Sequence, residues 1–315
     1  MTINRRSFLG TAAAVGAVAA TKTELCSAAA SQPVAADSPF TYCLNMSTIR
    51  QQTEDIVEQV RIAGVAGYNG IEPWMGHLSK YKDAGGSLSD LKKRIEDAGL
   101  TVESAIGFAQ WIVDDEAQRK QGLENAKRDM DLLTQIGGKR IAAPPVGAQN
   151  GARLDPFLMA ERYHELLKVG DETGVIPQLE VWGFSTNLSR LGESVMVCVE
   201  ANHPKACLLP DVYHIFKGGS GFGGLALLDD NAIQVFHMND YPEQPSRAEM
   251  NDSHRVYPGD GIAPLSDILN MIGGNGRKVV LSLELFNRDY WKQDALEVAK
   301  TGLAKMKASV AAVAG

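Results

Sequence analysis

Residues 279–291 read VVLSLELFNRDYW. Val279 to Leu285 has the composition of a strand buried on both faces, yet Glu284 sits inside its apolar run. A lone carboxylate at that depth is costly unless a cation or hydrogen-bond donor meets it. Working outward, the same strand-like pattern recurs near 41–45, 69–73, 101–107, 139–144, 176–181, 207–211 and 233–238. Amphipathic helical stretches separate these runs, among them 54–66, 88–98, 117–136, 159–173 and 188–201, with 294–310 closing the chain. Gly99, Gly137–Gly138 and Gly174 each follow a helix, where a left-handed C-terminal cap is needed. Eight strand–helix units predict an α/β fold closed as a (β/α)8 TIM barrel over residues 37–315. A doubly wound sheet is the other arrangement such alternation permits, but eight units without a second domain favour closure.

Barrels of this kind carry their chemistry at the C-terminal ends of the strands. Strand five ends PQLEVWG, which puts Glu180 at its tip; strand six ends CLLPDVYH, with Asp211 and, one turn on, His214. Strand seven ends QVFHMND, with His237, and strand eight brings Glu284. Any one of these has an ordinary explanation: a strand-end Glu is commonly a salt-bridge partner, and a strand His a hydrogen-bonded core residue. Four in register on one rim point instead to a metal site. Three carboxylates and one imidazole suit one divalent ion, Mn²⁺ or Mg²⁺, with Co²⁺ or Zn²⁺ also compatible. With no thiolate in the set, a structural zinc site is excluded.

From Phe40 onward the chain resembles the sugar isomerase/epimerase superfamily, the xylose-isomerase-like barrels. Its motifs are similar in particular to the inosose isomerase and ketose 3-epimerase branches. LEVWG, PDVYH, FHMND, YPGDG and SLELFNRDYW carry the resemblance. It implies Glu180, Asp211, His237 and Glu284 as metal ligands, with the two glutamates doubling as acid and base. It implies further that His214, Glu72 in GIEPW, and Arg255 just before YPGDG contact substrate. One stretch departs from the pattern. Where ketose epimerases commonly carry a substrate-binding Arg after the strand-seven His, this chain reads MNDYPEQPS.

Trp74, Trp111, Trp182 and Trp291 lie just beyond strand ends or in rim loops, where indole rings stack on sugar faces or pack the rim. Phe108 is a weaker instance. GSGFGG at 219–224 matches a dinucleotide fingerprint literally but lacks the strand–turn–helix setting, and reads as a mobile loop. The long loop 239–261 has the character of a lid that brings His254 and Arg255 toward the site.

Residues 1–36 differ in character from the rest. NRRSFLG at 4–10, an Ala/Gly/Val run and a stretch of small residues make an export signal of the twin-arginine type followed by a short linker. The expected location is therefore the periplasm, with the twin-arginine machinery as a partner. The three cysteines beyond that segment, Cys43, Cys198 and Cys207, have no CxxC spacing and read as core residues. A net charge of −7 without a dense basic cluster argues against nucleic acid as a partner. No apolar run after residue 30 reaches the roughly 18 residues of a membrane span; an oligomer is compatible with the sequence.

These features favour a metal-dependent isomerase or epimerase of an unphosphorylated sugar, keto-sugar or inosose, acting on a small-molecule carbohydrate through an enediolate. The same site could run β-elimination on 3-keto-glycosides. Non-catalytic carbohydrate binding is disfavoured because it needs no pair of acid/base glutamates. Nucleic-acid hydrolysis on a related three-zinc barrel would need more His ligands and a basic face. For the N-terminus the expected outcome is simple: Arg5→Lys combined with Arg6→Lys traps the protein inside the cell. Cell fractionation showing normal export of that double variant would assign the signal to the general secretory route.

Overall fold

The computed structural model describes residues 38–274 and 277–313. The expected export segment, 1–36, lies outside the described residues. Eight parallel strands alternate with helices: β1 (Phe40–Asn45), β2 (Gly70–Glu72), β3 (Thr101–Val102), β4 (Arg140–Ala143), β5 (Ile176–Glu180), β6 (Leu208–Leu209), β7 (Val235–Met238) and β8 (Val279–Leu283). Strands pair in the order β3-β2-β1-β8-β7 and β4-β5-β6. Two seams join these arcs into a barrel. The Ala142 N–H donates to the Ala105 carbonyl at 2.8 Å. Across the other seam, Leu208 pairs with Ile233 and Asp211 with His237.

The helices are α1 (Ile56–Ala66), α2 (Met75–Asp83), α3 (Leu88–Asp97), α4 (Glu116–Gln135), α5 (Pro156–Thr173), α6 (Leu191–Glu200), α7 (Val212–Lys217), α8 (Leu265–Gly273) and α9 (Ala295–Ala311). Local chemistry sets their ends. Asp55, Ser87, Asp115, Asp155 and Asp294 accept hydrogen bonds from first-turn N–H groups, and α5 has Pro156 in its first turn. Gly174 ends α5 at φ 77°, as its position after the helix predicts.

The period-2 alternation of each strand explains how a carboxylate sits in an apolar run. On β8, Leu281 and Leu283 belong to the large core outside the barrel, while Val280 packs with Ile106, Ala142, Leu209 and Val235 in a second cluster. Continuing that alternation, the strand tips put Asn45, Glu72, Glu180, Asp211, His237, Ser282 and Glu284 above the second cluster, all buried. The barrel is thus plugged with aliphatic side chains below and lined with polar ones above.

Several expectations are modified. β3 spans only Thr101–Val102 of the expected 101–107, although Ile106 still bridges to Trp74. Regular pairing of β6 stops at Leu209 because Pro210 has no N–H to donate; it resumes at Asp211. Within 219–224, expected as a mobile loop, a 3-10 helix starts at Phe222 and runs to Leu227, with Leu225 buried.

The long loop 239–261 is fastened from within. Asp240 and Val256 exchange two backbone hydrogen bonds at 3.0 Å, and the Asp240 carboxylate accepts from the N–H groups of Tyr241, Gly259, Gly261 and Ala263 at 2.8–3.1 Å. One buried side chain therefore holds YPGDG against the end of β7 and fixes the approach of Arg255. Asp240→Ala leaves those four donors without their acceptor. A loss of about 3 kcal/mol in a urea melt is expected; a change under 1 kcal/mol would mean the loop is held by other contacts.

Candidate metal centre and substrate cavity

His237 stands at the centre of the polar layer. Its Nε2 lies 3.0 Å from Glu72 Oε2, and Glu72 also accepts from Ser282 Oγ at 2.6 Å and Asn45 Nδ2 at 2.9 Å. With Nε2 held by Glu72, Nδ1 is the ring nitrogen turned toward the other carboxylates. Nδ1 is buried and has no hydrogen-bond partner. Around it are Glu284 Oε2 at 3.1 Å, Asp211 Oδ2 at 3.9 Å and Glu180 Oε1 at 4.0 Å.

Donors of Glu180, His237 and Glu284 lie within 4.8 Å of one another. An ion about 2.0–2.3 Å from each donor spaces its ligands by roughly 3–4 Å, so these separations fit a divalent cation. Asp211 approaches the same point but is more heavily engaged. Its Oδ1 caps α7 by accepting the His214 N–H at 2.8 Å, and its Oδ2 accepts from Asn239 Nδ2 at 2.9 Å and Arg255 Nη1 at 2.8 Å. The donor chemistry, carboxylate oxygens with one oriented imidazole, suits the metals expected from the sequence.

The electrostatics agree. Burial, with the Glu284 and Asp211 charges adding to it against the pull of His237, pushes the Glu180 carboxyl up to about 8. Burial acts the same way on Glu284, but His237 and Arg255 outweigh it and hold that carboxylate well below its usual range. Burial by itself would lower the pKa of His237; Glu284 and Glu72 override it and raise the pKa well above the ordinary imidazole value, so a divalent ion binding at Nδ1 would have to take the place of a proton held there against Glu284. A site this rich in buried negative charge attracts cations.

Arg255 is fully buried and ties the rim together. Nη1 donates to Asp211 and Glu284, each at 2.8 Å, while Nη2 donates to Asp252 at 2.5 Å and lies 2.9 Å from His214 Nε2. Burial and the Arg255 charge lower the His214 pKa, which keeps the ring neutral. Above these groups opens a cavity of about 420 Å³, whose wall includes Glu180, Glu284, His214, Trp74, Trp182 and Trp291. Phe108 and Phe184 lie at its mouth, 43% and 45% exposed.

Three expected residues stand elsewhere. Trp111 is fully buried, packs on Tyr163 and donates its indole N–H to the Pro144 carbonyl at 2.9 Å; it is a core residue. Glu72 lies behind His237, with no surface on the cavity, because its strand tip faces the barrel axis one layer below the opening. It was expected to contact substrate; in the structure it is hydrogen-bonded to the imidazole and is not among the residues that line the cavity. His254, expected to turn toward the site, instead closes the cap of the 3-10 helix Asp252–His254 through Asn251.

Sequence reasoning missed Asn45, Ser282, Asp252 and Arg50. Asn45 was findable, since it ends β1 just as Glu72 ends β2, and the two are paired in register. Its amide donates to both Glu72 and Glu284, the latter at 3.2 Å. Ser282 had a weaker signal, a small polar residue two positions before Glu284 on the same face of β8.

Comparison with known proteins agrees with this geometry. The profile of the xylose isomerase-like TIM barrel family matches residues 60–309. An inosose isomerase of Halalkalibacterium halodurans is 28% identical over 269 residues, covering 82% of this chain and 92% of that protein. The 3-dehydro-D-guloside 4-epimerase of Escherichia coli is 25% identical over 223 residues, covering 66% and 78%. Among solved structures, the IolI protein with a bound zinc atom superposes with a TM-score of 0.79 at 22% identity, covering 87% of this chain and 99% of that one. With the barrel and the matched profile in agreement, the chain belongs to the xylose isomerase-like TIM barrel family.

Proposed function

We propose that this chain is a divalent-metal-dependent isomerase or epimerase of an unphosphorylated sugar, keto-sugar or inosose. The observation that carries the reading is His237, whose unpartnered Nδ1 faces three carboxylates while Glu72 fixes Nε2. The two relatives support the reaction class, since one is named an inosose isomerase and the other a 4-epimerase of a 3-dehydro sugar.

Glu180, Asp211, His237 and Glu284 would hold the ion, which when bound polarises the substrate carbonyl and favours the enediolate. The two glutamates come from β5 and β8, and both line the cavity. One can accept the proton next to the carbonyl and the other can return one, at the same carbon or the adjacent one. His214, neutral and steadied by Arg255, is placed to hydrogen-bond a reacting oxygen. Trp74, Trp182 and Trp291 offer faces on which an apolar sugar surface can stack.

The test is deuterium exchange from solvent into a panel of keto-sugars and inososes with Mn²⁺ present. Exchange without loss of a substituent fits isomerisation or epimerisation. Exchange with elimination places a lyase at the same site, and no exchange on any compound overturns the catalytic reading. Glu284→Gln at saturating Mn²⁺ is expected to slow exchange by ~10²–10⁴-fold; full recovery with metal would reduce Glu284 to a ligand alone. Glu72→Gln is expected to weaken metal binding by about 10-fold or more while leaving the cavity lining unchanged, measured by competition with a fluorescent chelator. Unchanged affinity would remove Glu72 from the orientation of His237.

A further inference from the structure

Three arginines line the cavity; Arg288 is exposed, and the fold treats the other two differently. Arg255 is saturated by Asp211, Glu284 and Asp252. Arg50 follows the 3-10 helix Met46–Ile49 after β1 and has no such partners. Its Nε is buried without a hydrogen-bond partner, and among the described residues no carboxylate lies within ion-pair distance of its guanidinium. Of the two carboxylates whose charge reaches it, Glu54 is paired with Lys80 at 2.8 Å and Glu284 with His237 and Arg255.

Aromatic rings take the place of a counter-ion. Arg50 Cζ lies 4.5 Å from the Trp74 ring centre, 5.3 Å from Trp291 and 5.4 Å from Phe286. Both indole N–H groups are anchored on Ser47, Trp74 to its hydroxyl at 2.7 Å and Trp291 to its carbonyl at 3.2 Å, so the sleeve is fixed in place. Cation–π attraction offsets part of the desolvation of the guanidinium but gives its N–H groups no acceptor. Burial correspondingly pulls the Arg50 pKa down. A partly desolvated donor fork held at a cavity wall is matched by an oxyanion with two oxygens in one plane.

We propose that Arg50 anchors a carboxylate of the substrate, so that the cavity takes an acidic hydroxylated ketone, such as a sugar acid or a ring bearing both groups. The inference rests on the reading of the site as one for hydroxylated ketones and narrows its substrate class. Arg288, also on the cavity wall and exposed, adds positive charge to the same cavity. At about 420 Å³ the space suits one sugar-sized ring with its carboxylate.

The experiment uses the full metal-loaded protein and follows tryptophan emission, because Trp74 and Trp291 touch Arg50. D-glucuronate is titrated against D-glucose and quinate against myo-inositol, with glucose 6-phosphate as a second kind of anion. The acids are expected to bind about 10–100-fold more tightly than their neutral counterparts. Arg50→Gln should bring that ratio close to one, and Arg50→Lys should keep part of it by retaining charge without the fork. Metal content and melting temperature check that each variant is folded; if Arg50→Gln fails to fold, the Arg50→Lys ratio decides, and no decrease overturns the assignment. Equal or absent binding of the acids, a ratio unchanged in Arg50→Gln, or preference for glucose 6-phosphate also overturns it. Exchange into neutral keto-sugars without any acid preference sinks this assignment alone. Arg50-dependent acid binding without proton exchange on any ketone sinks the catalytic reading alone.

Discussion

The contact between His237 and Glu72 organises the upper barrel. A histidine side chain offers two nitrogens, and which one is free to bind depends on what holds the other. Here Glu72 takes Nε2, and Glu72 is itself held by Asn45 and Ser282, so strands β1, β2, β7 and β8 all contribute to aiming Nδ1. The carboxylates of Glu180, Asp211 and Glu284 then crowd around Nδ1. A buried cluster of like charges is stable only with compensating positive charge. Arg255 supplies part of it from the loop that Asp240 pins, and a divalent ion would supply the rest.

The arginines divide the labour of the cavity. Arg255 is spent on the protein's own carboxylates, joining Asp211 and Glu284 and steadying His214. Arg50 sits in a sleeve of Trp74, Trp291 and Phe286, and among the described residues its buried Nε has no hydrogen-bond partner. One cation therefore builds the site and the other is left to meet what enters it. The missing Arg in MNDYPEQPS, where ketose epimerases commonly have one, is consistent with a substrate gripped from a different strand.

Much of the barrel was legible because its signals are local. Apolar runs of five to seven residues repeat eight times, capping residues and glycines mark several of the helix ends between them, and each can be recognised without its neighbours. The strand-tip ligands were legible for a related reason: a carboxylate inside an apolar run is a local contradiction that needs a partner. Pairing details were less so, since Pro210 interrupts β6 through a missing donor whose effect depends on the facing strand.

By itself the sequence determined the eight-unit alternation and the polar strand tips of β5 to β8; Arg255, expected from the resemblance to contact substrate, lies on the cavity wall paired with Asp211, Asp252 and Glu284. Only the tertiary structure decided the roles of Glu72 and Trp111, because depth below the cavity depends on how strands stagger around a closed barrel. Glu72 and Glu180 both end strands, yet one lies behind the imidazole and the other faces the opening. Trp111 and Trp291 both lie in loops beyond strand ends, yet one is packed into the core and the other encloses a guanidinium. Arg50 belongs to the same class: its sleeve joins residues from the ends of β1, β2 and β8, which adjoin only once the sheet has closed.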